Sequence, residues 1–152
     1  MTDARVRSAD IPVACAGCGR RNRVPAAGTG AVRCGGCHEP LAWIAEADDD
    51  TFAEVAEDAS VPVLVHLWAA RCGPCLRVGP VLDRLAREMA GRVKLVRVDI
   101  ARAPKTKVRF GAQAVPTLLL MRSGRVVDRR TGAAPADDLR AWTERGLARP
   151  VC

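Results

Sequence analysis

Val61-Pro-Val-Leu-Val-His-Leu-Trp-Ala-Ala-Arg-Cys-Gly-Pro-Cys75 decides the fold. Residues 61–68 are a nearly continuous apolar run, the pattern of a strand buried on both faces, with Pro62 at its start. Residues 69–73 turn into a helix whose apolar positions Val78, Leu82, Leu85 and Met89 recur at helical spacing until Gly91. Pro80 inside that helix lacks a donor N–H and is expected to kink it. Downstream, Val93 to Ile100 reads as a second buried strand and residues 104–110 as a short helix opened by Pro104. Strands follow over 117–121 and 125–129 around a Ser123-Gly124 turn, then a helix over 135–147 with Leu139, Trp142 and Leu147 inward. Upstream, Thr51-Phe-Ala-Glu54 reads as a capping box that opens a helix backed by Phe52, Val55 and Ala56. The order from residue 51, α-β-α-β-α-β-β-α, predicts an α/β class: a mixed central sheet flanked by helices.

The 152 residues leave room for one ordinary domain and a very small one. Apolar residues make up 49% and charged residues 27%, a globular balance that excludes wholesale disorder. Three Trp, two Phe and no Tyr are too few aromatics for a base-stacking nucleic-acid binder. The formal net charge of +7 is carried mostly by arginines at scattered intervals, the pattern of a solvated surface; nucleic acid is not the expected partner. No stretch approaches the ~20 apolar residues of a membrane span. Met1 to Asp10 is polar and has no apolar signal core, so a cytoplasmic location is expected. In a reducing compartment, cysteines serve metals or catalysis rather than structural disulfides.

Six of the seven cysteines form three C-x-x-C pairs, and Cys152 stands alone. Cys15/Cys18 and Cys34/Cys37 are 15 residues apart, the spacing of a zinc ribbon. Four thiolates suit one tetrahedral zinc and leave no open position for water, so the expected site is structural. Two labile disulfides, a redox-released zinc or an iron–sulfur cluster are the alternatives, and His38 is a less suitable ligand than the four sulfurs. Gly17, Gly19, Gly35 and Gly36 let backbone N–H groups approach the sulfurs, and Arg20, Arg21 and Arg33 offset their charge. The first 45 residues are too poor in apolar runs to fold unaided, so the metal is expected to staple them. The expected division is a ribbon over 1–45, an acidic hinge over 46–50 and a catalytic domain over 51–152.

Cys72-Gly73-Pro74-Cys75 has no partner pair for a second metal and sits between a buried strand and a helix. Unpaired N–H groups at a helix start favour a thiolate at Cys72. Cys75 lies one turn on, placed to resolve a mixed disulfide at Cys72, and Pro74 stiffens the turn. The residues point to dithiol–disulfide exchange. Trp68-Ala-Ala-Arg-Cys-Gly-Pro-Cys75 resembles the active-site segment of the thioredoxin family, and Val115-Pro116-Thr117 resembles that family's cis-proline loop. Turn glycines at Gly124 and Gly132 also match, and the likeness covers about residues 48–149. With the ribbon, the chain resembles the family's zinc-containing type 2 branch.

The resemblance implies a thioredoxin fold and a protein-disulfide reductase. It implies cis Pro116 against the dithiol, Val115 pairing its backbone with an extended client, and a docking surface that includes Gly73, Pro74, Gly132 and Ala133. It also implies disulfide-containing client proteins and an NADPH-linked thioredoxin reductase as partners, with no cofactor bound in the catalytic domain. Two residues depart from the family. Arg71 stands where the family usually has Trp; a fixed cation there lowers the Cys72 pKa, makes the dithiol more oxidising and favours acidic clients, unless it merely points into solvent. His66 stands where the family has a buried Asp; a neutral imidazole there is either a proton manager for Cys75 or a core histidine bonded to a backbone carbonyl. Arg97 stands where the family often has Lys near that Asp. These departures keep a disulfide oxidase or isomerase open as a rival, and the ribbon keeps open a redox-controlled chaperone or adaptor.

Overall fold

Why the run at 61–68 is apolar on both faces is evident from where it lies. In the computed structural model, which describes residues 11–28 and 30–149, it forms β4 (Val63–Trp68), inside a five-stranded sheet. Two short antiparallel strands precede the sheet, β1 (Ile11–Ala14) and β2 (Arg21–Val24). The sheet begins with β3 (Trp43–Ala47). After β4 come α1 (Gly73–Glu88), β5 (Lys94–Asp99), α2 (Pro104–Arg109), β6 (Thr117–Arg122), β7 (Arg125–Thr131) and α3 (Ala136–Ala148). The spatial order is β3-β5-β4-β6-β7; the first three run parallel and the last two alternate. This is the α/β thioredoxin-like architecture. Cys152 lies outside the described residues.

Side-chain alternation along β4 builds two cores. Val63, Val65 and Leu67 join Val96, Val98 and Leu119 on one face, under Phe52, Val55 and Ala56. Leu64 joins Leu95, Leu118 and Leu120 on the other, under Val78, Leu82 and Leu85 of α1 and Leu139 and Trp142 of α3. Each such side chain, fully buried, contributes roughly 1.5–3 kcal/mol. The β6–β7 hairpin closes on Ser123 and Gly124, both at positive φ (54 and 77), the two-residue turn whose twist suits antiparallel strands. Pro80 is accommodated within α1 and is exposed.

The expected hinge at 46–50 is corrected. Glu46 and Ala47 are strand residues paired with Arg97 and Val98, and β3 as a whole pairs with β5 from Trp43 to Ala47. Asp48 and Asp49 after it are fixed caps. The Asp48 carboxylate accepts from the N–H groups of Asp50 and Thr51, while the Thr51 hydroxyl accepts from the Asp48 N–H at 3.0 Å. The capping box therefore starts three residues before the expected Thr51, and the segment it opens is a single π-helical turn, Ala53–Glu57. Asp49 caps α2 instead, accepting from the N–H groups of Lys105 and Thr106. Carboxylates at helix starts are held by those donors and the local dipole, so this acidic run is ordered rather than a solvated swivel.

The ribbon's own small core, with Val24, Leu41 and Trp43, is continuous with the sheet. Trp43 Nε1 donates to Pro25 O at 2.7 Å. Lys94, fully buried on β5, donates from Nζ to Ala26 O and to Val55 O, 3.9 Å from the Trp43 ring centre. One amine thus ties ribbon, β3 and the π-helical turn together. Burial lowers its pKa from 10.5 to about 8. Between those values the unfolded chain holds a proton that the folded chain has shed, so stability rises with pH across that window. In urea titrations at about pH 7.5 and about pH 10, wild type should gain stability relative to Lys94→Met at the higher pH; a constant gap between the two would refute the buried-amine account.

Candidate active site and metal centre

The register of the sheet gathers the dithiol loop. β4 ends at Trp68, and the chain turns straight into α1 with Cys72 as its N-cap residue. Because β6 runs antiparallel to β4, its first residue, Thr117, pairs with Leu67, near the end of β4. That brings Val115 and Pro116 to the same edge. β7 ends at Thr131 opposite Thr117, so Gly132 follows beside them, and its N–H donates to Pro116 O at 2.9 Å. Gly132 has φ +87, the left-handed region open to glycine. The Val115–Pro116 peptide is cis. Of the expected docking residues, Ala133 is exposed beside Gly132, and Gly73 and Pro74 form the first turn of α1.

Cys72 and Cys75 are disulfide-bonded, with Cα atoms 5.2 Å apart. Cys75 is buried, while Cys72 is half-exposed. The Cys75 N–H donates to Cys72 Sγ at 3.0 Å, in the manner of an N-cap, and Val115 O lies 3.6 Å from the same sulfur. One face of Cys72 is open to an incoming group and the other is held by the helix start. Arg71 is exposed and has no ion-pair or hydrogen-bond partner among the described residues.

His66 is buried on β4, on the Leu64 face that α1 covers. Neither ring nitrogen has a hydrogen-bond partner among the described residues, so the carbonyl-bonded core reading is not what the geometry contains. Burial, and then the positive charge of Arg97, push its imidazole from 6.5 down to about 4. It is therefore neutral at ordinary pH. Arg97 is paired, with Nη1 3.5 Å from Oδ1 of Asp83 on α1. Asp83 and Arg77 are site neighbours that sequence patterns did not single out: both sit among the polar positions of an amphipathic helix, where nothing in the spacing distinguishes them.

The four N-terminal cysteines converge. Their sulfurs all lie within 4.8 Å of one another. The closest pairs are Cys15–Cys37 at 3.5 Å and Cys18–Cys34 at 3.6 Å, each joining one C-x-x-C turn to the other. Cross-pairing of this kind describes one shared site rather than two disulfides within the pairs. Zinc–sulfur bonds of about 2.3 Å give tetrahedron edges of about 3.8 Å, close to what is found. The two turns are built alike. Cys15 N–H donates to Arg20 O and Cys34 N–H to Glu39 O, both at 2.8 Å, while Gly19 and His38 donate back to Cys15 O and Cys34 O. Gly19 and His38 occupy equivalent places at positive φ (80 and 67), so His38 serves the turn and lies outside the sulfur cluster.

Backbone N–H groups of Cys37 and Gly36 pull the Cys34 thiol down to about 6. Cys37 goes the other way, to about 12: the Glu39 N–H favours its thiolate, but the neighbouring sulfurs and burial outweigh it. Four thiolates this close together would need a cation, and the four cysteines can hold a metal ion. Arg20 lies along the second turn, beside Gly35 and Gly36.

The family model described as Thioredoxin matches residues 43–145. Thioredoxin C-2 of Corynebacterium nephridii is 39% identical over 106 residues, which cover 70% of this chain and 98% of that protein. Thioredoxin of Haemophilus influenzae is 41% identical over 92 residues, 60% of this chain and 86% of its own length. Thioredoxin 1 of Nostoc sp. is 38% identical over 103 residues, 68% and 96% respectively. The matched family region begins with Trp43, the first residue of β3, and leaves the cysteine cluster outside it. With its dithiol capping a helix beside a cis-proline loop, the chain belongs to the thioredoxin family of thiol-disulfide oxidoreductases.

Proposed function

We propose that this chain is a protein-disulfide reductase in which Cys72 is the nucleophile and Cys75 the resolving thiol. The observation that carries the assignment is the difference in access: Cys72 is half-exposed and capped by an N–H, while Cys75 is buried one turn behind it. The Cys72 thiolate attacks a client disulfide, forming one mixed disulfide and expelling one client thiolate. The Cys75 thiolate then attacks Cys72 Sγ, forming the Cys72–Cys75 bond and expelling the second client thiolate. Two electrons pass to the client, and an NADPH-linked thioredoxin reductase returns them. Val115 lends its backbone to an extended client, with Gly73, Pro74, Pro116, Gly132 and Ala133 forming the surround. His66 takes the Cys75 proton during resolution; its low basicity makes it a weak base, and its neutrality adds no like charge near the thiolate. The setting is the cytoplasm, and among the described residues no helix is long and apolar enough to cross a membrane.

In the reduced protein, iodoacetamide at neutral pH should label Cys72 well before Cys75, and faster than a cysteine in an unstructured peptide. Cys72→Ser should abolish reduction of insulin disulfides, and Cys75→Ser should accumulate a mixed disulfide at Cys72. Equal labelling of both thiols would remove the assignment of roles. A disulfide oxidase is the second reading, favoured by the exposed Arg71 beside Cys72; a reduction potential close to that of known periplasmic oxidants, about −120 mV, would select it.

Cys15, Cys18, Cys34 and Cys37 are proposed to hold one structural zinc, which supplies the cation that four adjacent sulfurs need. Purified protein should carry about one zinc per chain. Cys34→Ser should lower that content and loosen the ribbon, seen as faster amide exchange over residues 11–41, while β4 and β5 remain protected. Full zinc retention in that variant would exclude Cys34 from the site.

A further inference from the structure

Two unpaired arginines adjoin the dithiol. Arg71 directly precedes Cys72 and is exposed. Arg77 is also exposed, and a Cβ built on Gly73 would lie 3.5 Å from its Nη1, so its guanidinium folds back over the loop between the two cysteines. Neither has an ion-pair or hydrogen-bond partner among the described residues. The first turn of α1 carries no carboxylate to neutralise them. Further along α1, Asp83 is held by Arg97, and Glu88 by Arg84 and Arg140. At the end of β5, Asp99 accepts from the Ala101 N–H. Arg102, on the turn after β5, adds a third exposed cation at this end of the parallel strands.

We propose that the preferred clients are extended peptide segments whose disulfide cysteine is flanked by Asp or Glu, with Arg71 and Arg77 as the specificity-determining residues. This rests on the reductase reading and leaves its chemistry unchanged. A client sulfur that reaches Cys72 lies near the Val115 carbonyl, whose oxygen is 3.6 Å from Cys72 Sγ. Side chains next to the client cysteine then fall within reach of the guanidinium over Gly73 and of the residue preceding Cys72. A guanidinium pairs with a carboxylate through two parallel N–H donors and repels lysine or arginine in the same place. Exposed pairs are individually weak, so two of them together amount to about a two- to thirtyfold preference.

The test uses three peptide disulfides of equal length, differing only in whether Glu, Gln or Lys flanks the cysteine. Their second-order rate constants with the reduced protein should fall in that order, with the Glu peptide about two- to thirtyfold ahead of Gln at low salt. About 1 M salt should remove most of the gap, because the screening length is then about 3 Å. Arg71→Gln and Arg77→Gln should each shrink the Glu-to-Gln ratio, and Arg77→Lys should restore part of it. Taking the ratio within each variant cancels any change in the Cys72 thiol itself. Equal rates for all three peptides in the wild type, or a ratio that neither variant moves, would overturn the proposal. If not even the Gln peptide is reduced, the reductase reading fails instead.

Discussion

The sulfur of Cys72, the proposed attacking atom, is also the N-cap of α1. Caps are ordinarily oxygen acceptors that take up the unbonded N–H groups of a first helical turn. Here a sulfur accepts from the Cys75 N–H, three residues on, while Pro74 between them brings no N–H of its own. An anion fills that position better than a neutral thiol, because the donor and the helix dipole both favour negative charge. The local fold therefore works on the thiol whether or not a client is present. The demand runs backwards as well: for Cys72 to cap the helix, β4 must end and α1 must begin within four residues.

That demand is met by burial on two sides. β4 is apolar at successive positions because α1 and α3 cover one face and α2 with the π-helical turn covers the other. A strand so enclosed cannot slip by one residue without turning His66 and every neighbour to the opposite core. Register fixed at β4 is passed by antiparallel pairing to β6 and then to β7. Pro116 and Gly132 consequently arrive at the Cys72 edge without any direct link in sequence. On the other flank β5 hands the order to β3, and through Trp43 and Lys94 to the ribbon. The four-cysteine cluster is thus built into the far edge of the same sheet through β3.

What could be read from the sequence follows from how local each signal is. The βαβ unit, the β6–β7 turn and both cysteine clusters declare themselves within a few residues, through apolar runs, Ser-Gly and C-x-x-C spacing. β3 did not, because an edge strand of five residues ending in Glu46-Ala47 carries too little apolar length to stand out from a Gly- and Cys-rich surrounding. Asp49 reads as part of a solvated hinge because its partners, Lys105 and Thr106, lie 56 and 57 residues away. Lys94 is an extreme case. A lysine in a strand normally marks the solvent side, yet this one is fully buried because three separate segments bring it two carbonyls and an indole face. Arg77 was hidden for a related reason: its spacing assigns it to the polar side of a helix, and only the fold shows that this side overhangs Gly73.

The charges around the dithiol all act in one direction, with a cost. Cations beside a dithiol, as Arg71 and Arg77 are, in general favour thiolates over the disulfide, which gains nothing from them. Stabilising thiolates alone moves the balance toward the dithiol and weakens the protein as a reductant. Rate responds less simply. A lower pKa raises the thiolate fraction, but nucleophilicity falls with a slope of about 0.4–0.5, so attack is fastest when the thiol titrates near ambient pH. A bound carboxylate changes both terms: engaged by a guanidinium, it partly neutralises the cation that was stabilising Cys72. The thiolate then becomes the better nucleophile at the moment its target is in place. On the proposed client preference, cations left unpaired beside Cys72 in the free protein reconcile a reactive resting thiolate with net electron flow toward the client.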